Sequence, residues 1–235
     1  WNNLDGEYTL AFEWNSDGVW NEVQVSSGAT WERLRTTNLY GDQTVNVLRV
    51  DLSQRDVEPI PHGSCQRVNQ VLVNEGAIAG INGGFYGGGC APLCMIKQNG
   101  TEYSQNTMHN YNNSYKTNGN SIEMRTMGWS GSTVSFSWLA QNTSWSAVTN
   151  AIGGYPSLVE NGQQTVEVYP GTTVWSSTDW NANPRTAIGY SSQGDVLMVT
   201  VDGRTTMGDG LSSWNMGELM KDLGAVDAIG LDGGG

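Results

Sequence analysis

The sequence has few charged residues, and basic ones are especially scarce. Charged residues make up 14% of the 235, and 11 Lys and Arg face 23 Asp and Glu, for a net charge of −12. A nucleic-acid backbone or an anionic membrane surface would be repelled, which excludes both as main partners. A small anionic substrate stays compatible, because a few arginines suffice for a local positive site.

Long hydrophobic runs are also missing. No apolar stretch approaches the ~20 residues of a membrane-spanning helix. No signal peptide is present and Trp1 is not a translation start, so we expect a mature or trimmed product. Three glycosylation sequons begin at Asn99, Asn112 and Asn142. With the low charge and the many small polar residues, they favour a secreted or extracellular protein, with lysosomal or periplasmic locations as alternatives.

Cysteine is limited to Cys65, Cys90 and Cys94. In an exported protein we expect one disulfide, joining Cys65 to Cys90 or Cys94, with the third cysteine either buried or paired outside this segment. The spacing of the cysteines and of the distant histidines does not match a zinc finger. The sequence therefore predicts no metal site.

Strand periodicity dominates what is present. Apolar and polar residues alternate over 1–26, with a hairpin turn signal at Asp17-Gly18, and strands are predicted near 45–51, 77–81, 122–127, 134–139, 186–190, 196–201 and 225–231. Helical spacing occurs at 66–75 and 215–223, each followed by a glycine. Residues 99–120 have no period and predict a long surface loop. The fold class is α+β, with a mainly antiparallel sheet and two or three helices.

Four segments carry the features of a site. Three are buried strands that end in a polar or charged residue and glycine, namely INGGF (81–85), VDGR (201–204) and LDGGG (231–235), and the fourth, PRTAIG (184–189), leads into a strand. Glycine after a strand permits a sharp turn or a close backbone approach. An ordinary turn explains any one segment, but four with complementary charges favour a shared site.

In the chain order INGGF, PRTAIG, VDGR and LDGGG, the four motifs resemble the phosphodiester-glycosidase family. The resemblance covers roughly residues 44–235, so 1–43 is interpreted as an N-terminal β-hairpin extension and 44–235 as the domain. Two departures are visible. Gly230 stands where the family has Asn, and the chain stops at Gly235 where the family continues into a closing strand.

The resemblance implies a hydrolase that cleaves a sugar 1-phosphodiester, or phosphorylated glycan, at the anomeric carbon. Such C1–O cleavage develops oxocarbenium charge that a carboxylate stabilises or attacks. Asp232 is the first candidate for nucleophile or base, and Asp202 is the second carboxylate. No cofactor is required, and a divalent cation between the carboxylates and the phosphate stays an open alternative.

Substrate binding falls to the remaining motif residues. Arg185 is predicted to clamp the phosphate and Arg204 to assist it, because guanidinium binds phosphate oxygens through two parallel hydrogen bonds. Asn82 is expected to hydrogen-bond the sugar or the phosphate, with Gly83, Gly84, Gly233 and Gly234 shaping the backbone around it. Glu218 is a further candidate, although the pattern Asn215-x-x-Glu218 is also a helix capping box.

Two other functions are compatible with the same sequence. One is a catalytically silent subunit of an extracellular filament or sheath, which self-assembles through its open C-terminal end. The other is a carbohydrate-binding module. The acidic and basic motif residues favour the enzyme.

Overall fold

The computed structural model describes residues 18, 20–37, 41–107, 116–118, 121–166, 181–206 and 208–233. Most of the regular secondary structure in these residues is in fourteen β-strands. In chain order they are β1 (Trp20–Ser26), β2 (Ala29–Thr36), β3 (Gln43–Asp51), β4 (Ile96–Gln98), β5 (Thr101–Ser104), β6 (Lys116–Asn118), β7 (Ser121–Ser130), β8 (Thr133–Ala140), β9 (Asn150–Gly153), β10 (Ser157–Glu160), β11 (Gln163–Gln164), β12 (Arg185–Ser191), β13 (Asp195–Val201) and β14 (Ala225–Gly230).

The strands form two antiparallel sheets. The first has the order β1-β2-β3-β13-β12-β14-β10-β11, and the second has the order β5-β4-β9-β7-β6 with β8 on β7. Helix α1 (Val68–Glu75), a 3₁₀ turn at Gly88–Cys90 and helix α2 (Ser213–Asp222) complete the described fold. The predicted α+β class with a mainly antiparallel sheet is confirmed.

Each face of the first sheet has its own core, as period-2 alternation requires. Leu197 and Val199 of β13 pack on the face that α2 covers, together with Met216 and Met220 of the helix. Val196 of β13 packs on the other face, in the core that the second sheet shares. The strands in the middle of the first sheet are therefore buried on both sides, which is why β3 and β13 contain so many valines and leucines.

The two helices differ in how they are held. Nothing on α1 is buried, and Gly76 ends it in the left-handed region at φ 65°. Helix α2 buries one face, and Ser212 caps its start by accepting a 3.1 Å hydrogen bond from the backbone N–H of Asn215. The predicted capping box that began at Asn215 is therefore wrong, because the capping hydroxyl stands three residues earlier.

A hairpin with its turn at Ser27-Gly28 joins β1 to β2. Of the predicted Asp17-Gly18 turn only Gly18 lies within the described residues, so that turn stays a prediction. Two other local predictions are wrong. Residues 77–81 form no strand, since they run beside a cleft and pair with no neighbouring strand. The predicted loop at 99–120 contains β5, which pairs with β4.

The cysteine prediction is confirmed. Cys65 and Cys90 form a disulfide with a Cα–Cα distance of 5.4 Å, and Cys94 is a free, buried thiol. Among the described residues, no helix is long and apolar enough to cross a membrane.

Candidate active site

A cleft of about 1370 Å³ is lined by residues from the four motif segments. Asn82 and Gly83 of INGGF, Pro184 and Arg185 of PRTAIG, and Asp232 and Gly233 of LDGGG line its wall. From VDGR, Arg204 lines the cleft. All four predicted segments thus reach one cavity, although they are separated by up to 150 residues in the chain.

The side chain of Asn82 joins three elements. Its amide nitrogen donates to the backbone carbonyl of Asp232 at 2.5 Å, and its amide oxygen accepts from the Thr186 hydroxyl at 2.7 Å. The backbone N–H of Asp232 donates to the carbonyl of Gly83 at 3.2 Å. An amide both donates and accepts, which makes Asn the residue type that can fill this position.

The motif glycines permit close backbone contact. A Cβ atom added to Gly233 would lie 2.5 Å from the carbonyl oxygen of Pro184, and one added to Gly84 would lie 2.9 Å from the carbonyl of Gly153. Gly203 packs equally closely on Pro184. None of the three has a positive φ. They therefore serve close approach between segments, and the left-handed residue of VDGR is Arg204, at φ 57°.

Arg185 begins β12 and is half-buried at the cleft wall. Its Nε donates to the carbonyl of Leu211 at 2.8 Å and one terminal nitrogen donates to the carbonyl of Asn181 at 3.2 Å. These bonds place the guanidinium beside the segment that leads into α2. Exposed Arg204 donates to the side chain of Asn183 at 2.6 Å.

Asp232 follows β14 and is half-buried in the cleft. Its charge is close enough to act on Cys94. Burial raises the pKa of the Cys94 thiol to about 12; a hydrogen bond with the Phe85 backbone opposes this, and the negative charge of Asp232 adds to it.

Asp202 lies elsewhere. It follows β13, its backbone N–H donates to the carbonyl of Thr44 at 3.0 Å, and it is not among the residues that line the cleft. Although it is exposed, desolvation by the surrounding protein raises the pKa of Asp202, and the nearby Arg33 opposes this shift. The structure thus brings Asp232, Arg185, Arg204 and Asn82 to one cavity and leaves Asp202 outside its lining, two residues before Arg204 in the chain.

The remaining predicted residues lie away from the cleft or outside the described part. Glu218 is on α2 and pairs with Lys221 at 3.7 Å. Of the sequons, Asn99 and Asn142 are exposed in turns, with φ of 48° and 57°. Asn112 and Gly234 lie outside the described residues. Glycosylation stays a prediction.

Three cleft residues were not singled out from the sequence. Thr186 holds Asn82, and its place inside PRTAIG was a usable signal. Ser213 is 1% exposed, and it stands in a Ser-Ser pair just before a helical pattern, which marks a helix start. His62 is half-buried with its Nε2 enclosed, and no sequence signal identified it.

Metal ligands are not gathered in the described part of the chain. No group of three or more His, Cys, Asp or Glu side chains lies close enough together there to hold an ion.

Comparison with known proteins assigns the family. The family model for phosphodiester glycosidases matches residues 75–235, more than half of the chain. The chain belongs to the phosphodiester glycosidase family. Within the matched range lie all four motif segments and the whole wall formed by Asn82, Arg185 and Asp232.

Curated relatives match this chain in sequence over short stretches. The mouse N-acetylglucosamine-1-phosphodiester alpha-N-acetylglucosaminidase is 41% identical over 51 residues, which is 22% of this chain and 10% of the mouse protein. The uncharacterized Bacillus subtilis (strain 168) SPbeta prophage-derived protein YomE is 38% identical over 63 residues, 27% of this chain and 10% of that protein. The matched stretches thus span about a tenth of these curated relatives.

Solved structures share the fold at low identity. The catalytic domain of the zebrafish N-acetylglucosamine-1-phosphodiester alpha-N-acetylglucosaminidase, auto-inhibited by its pro-peptide, matches with a TM-score of 0.63 at 19% identity, over 92% of this chain and 76% of that one. A hypothetical protein from Synechocystis matches with a TM-score of 0.60 at 15% identity, over 92% and 58%.

Proposed function

We propose that this phosphodiester glycosidase-type domain hydrolyses a sugar 1-phosphodiester at the anomeric carbon. The bond between C1 and the phosphate oxygen breaks, its electron pair leaves with the phosphate monoester, and a water oxygen ends on C1. A phosphate monoester is already a good leaving group, so the demand for protonation is milder than in ordinary glycosidases. The mouse and zebrafish relatives are named for a substrate of this class.

The observation that carries the proposal is the bridge made by Asn82. It fixes the backbone of Asp232 beside β12, so a carboxylate and the guanidinium of Arg185 line one cavity. A carboxylate stabilises positive charge at C1, and a guanidinium binds the anionic phosphate. The two halves of a sugar phosphate therefore meet complementary charges in the same cleft.

Asp232 is assigned to the anomeric carbon. It is half-buried and its backbone is held at both the N–H and the carbonyl, which limits its movement. Such preorganisation stabilises a transition state at no cost of rearrangement during the reaction.

Asp202 is assigned the role of second carboxylate. Its raised pKa favours the protonated form that a general acid needs. Arg204, two residues further along the chain, lines the cleft, and this nearness in sequence supports the assignment.

Export from the cytoplasm is part of the proposal. The Cys65–Cys90 disulfide favours an oxidising compartment. A Burkholderia pseudomallei protein predicted to be exported shares the fold, with a TM-score of 0.54 at 14% identity over 83% of this chain and 68% of that one.

A paired-substrate assay tests the proposal. The protein is incubated with an N-acetylhexosamine 1-phosphodiester and with the neutral methyl glycoside of the same sugar. We expect release of free sugar and phosphate monoester from the first and slow cleavage of the second. Reaction in ¹⁸O-labelled water should place the label on the sugar; label on the phosphate would show P–O cleavage and reject the proposal. Absence of turnover on a panel of sugar 1-phosphodiesters would also reject it.

A further inference from the structure

The cleft contains a polar group that the protein itself does not use. Ser213, the first residue of α2, is 1% exposed and lines the cleft, and its hydroxyl has no hydrogen-bond partner among the described residues. A buried hydroxyl without a partner costs free energy, so most of them are satisfied in folded proteins. A hydroxyl in this state fits a bonding partner that arrives with a ligand.

Ser213 stands on the face of α2 that borders the cleft. Met216, one turn further on, lines the same cavity. At the start of the helix, Ser212 takes up one backbone N–H, that of Asn215. The first N–H groups of a helix have no acceptor within the helix and carry a partial positive charge. The first turn of α2 holds no acidic residue that would oppose an anion there.

Arg185 brings a full positive charge to the same place. Its Nε bonds the carbonyl of Leu211, two residues before Ser213, and the backbones of Leu211 and Asn183 pair with each other at 2.9 and 3.2 Å. The guanidinium is thereby tied to the segment that starts the helix. Guanidinium, hydroxyl and helix N-terminus are the donor set that proteins use for phosphate.

We propose that Ser213, the N-terminal turn of α2 and Arg185 form a phosphate subsite that takes the phosphoryl group of the leaving phosphomonoester. Its place in the reaction rests on the proposed function, but its affinity for phosphate does not. Asp232 then faces the sugar and the start of α2 faces the phosphate, so the cleft has two chemically distinct ends.

Binding is measured without turnover, by calorimetric titration of the whole protein with inorganic phosphate, methyl phosphate and dimethyl phosphate. We expect the dianionic monoester to bind more tightly than the monoanionic diester. Ser213→Ala should weaken methyl phosphate binding about tenfold, as the loss of a hydrogen bond to a charged group does. The same variant should have an unchanged or higher Tm, because it removes an unpartnered buried hydroxyl.

Ser191→Ala is the matched control. Ser191 is 2% exposed, lies at the other end of β12, and its hydroxyl accepts from the N–H groups of Gln193 and Asp195. This variant should have a lower Tm and unchanged phosphate affinity. Equal phosphate affinity of wild type and Ser213→Ala would overturn the subsite. A lower Tm for Ser213→Ala, as for the control, would likewise show a structural hydroxyl. Phosphate binding lost in Ser213→Ala while wild type hydrolyses no sugar phosphodiester would support the subsite and reject the enzyme.

Discussion

Two aspartates, one on β14 and one just after it, differ in their surroundings although they are close in the chain. Asp227, in the middle of β14, accepts a 2.6 Å hydrogen bond from Arg125, which also contacts Glu160 at 3.3 Å. The guanidinium of Arg125 lies 5.6 Å from the ring centre of Phe136 and 5.7 Å from that of Trp138. Asp232, five residues later, lines an open cleft and is fixed through its backbone. One carboxylate pairs with an arginine inside the fold, and the other belongs to a residue of the cleft wall.

The largest effect should come from the cleft carboxylate. Asp232→Ala should lower kcat on a sugar 1-phosphodiester by several orders of magnitude with substrate binding retained, because it acts on charge that exists near the transition state. Steady-state kinetics with a Tm measurement checks this. Turnover near that of wild type would make Asp232 equivalent to Asp227 and remove the contrast between them.

Loss of the Arg185 side chain should change the kinetic constants in a different way. Arg185→Ala removes a contact proposed for the ground state as well as the transition state, so KM should rise and kcat should fall, by roughly 2–5 kcal/mol in total. Lys221→Ala, at the far end of α2, is the control for loss of general positive charge and should change neither constant. An unchanged KM in Arg185→Ala would contradict the phosphate role.

Asp227 should matter for stability and not for chemistry. Asp227→Ala leaves Arg125 mostly buried with one carboxylate fewer, and the free energy of unfolding should fall by about 2–3 kcal/mol. The side chain of Asp227 is 20% exposed, which places the loss below that of a fully buried pair. Urea unfolding measures the change, and the folded fraction should keep its kcat. A drop in kcat per folded molecule would show that the two aspartates are coupled.

Asp202 should give the smallest change in stability, one that depends on pH. A raised pKa means that the folded state binds a proton more readily than the unfolded chain, so ionised Asp202 destabilises the fold at neutral pH. Asp202→Asn should raise Tm slightly at pH 7, and the difference should vanish as pH falls below the ordinary range for aspartate. With Asp202 as the proposed general acid, the same variant should also lose the alkaline limb of the kcat profile. A Tm difference that grows at low pH would contradict the direction of the shift.

Local pattern predicted the elements, but it did not predict how they pair. The alternation in 45–51 and 196–201 gave β3 and β13, and the spacing of Met216, Leu219 and Met220 gave α2. The strand expected at 77–81 is absent because these residues line the cleft and have no neighbouring strand to pair with. Local sequence does not encode whether a pairing strand is present. The motifs identified Asn82, Arg185 and Asp232, since polar residues beside glycines interrupt buried strands.

The hydrogen bonding and the position of individual side chains could not be predicted from the sequence. Ser213 and Ser212 are the same residue type side by side, and only the structure shows that one hydroxyl caps the helix while the other has no described partner. Asp202 and Asp232 both follow a strand and precede glycine. Their different relation to the cleft follows from where the neighbouring segments pass, which is set by contacts over more than 100 residues.

The buried thiol of Cys94 can report on opening of the cleft wall through its reactivity. It is the single cysteine outside the disulfide, it is 1% exposed, and its side chain lies against the backbones of Gly84 and Gly153 beside the cleft. A thiol with a pKa of about 12 and no access to solvent is inert toward alkylating reagents while the fold is closed. The rate at which a maleimide labels Cys94 therefore measures how often this wall opens. Slower labelling after substrate is added would show that the cleft is occupied, even without turnover.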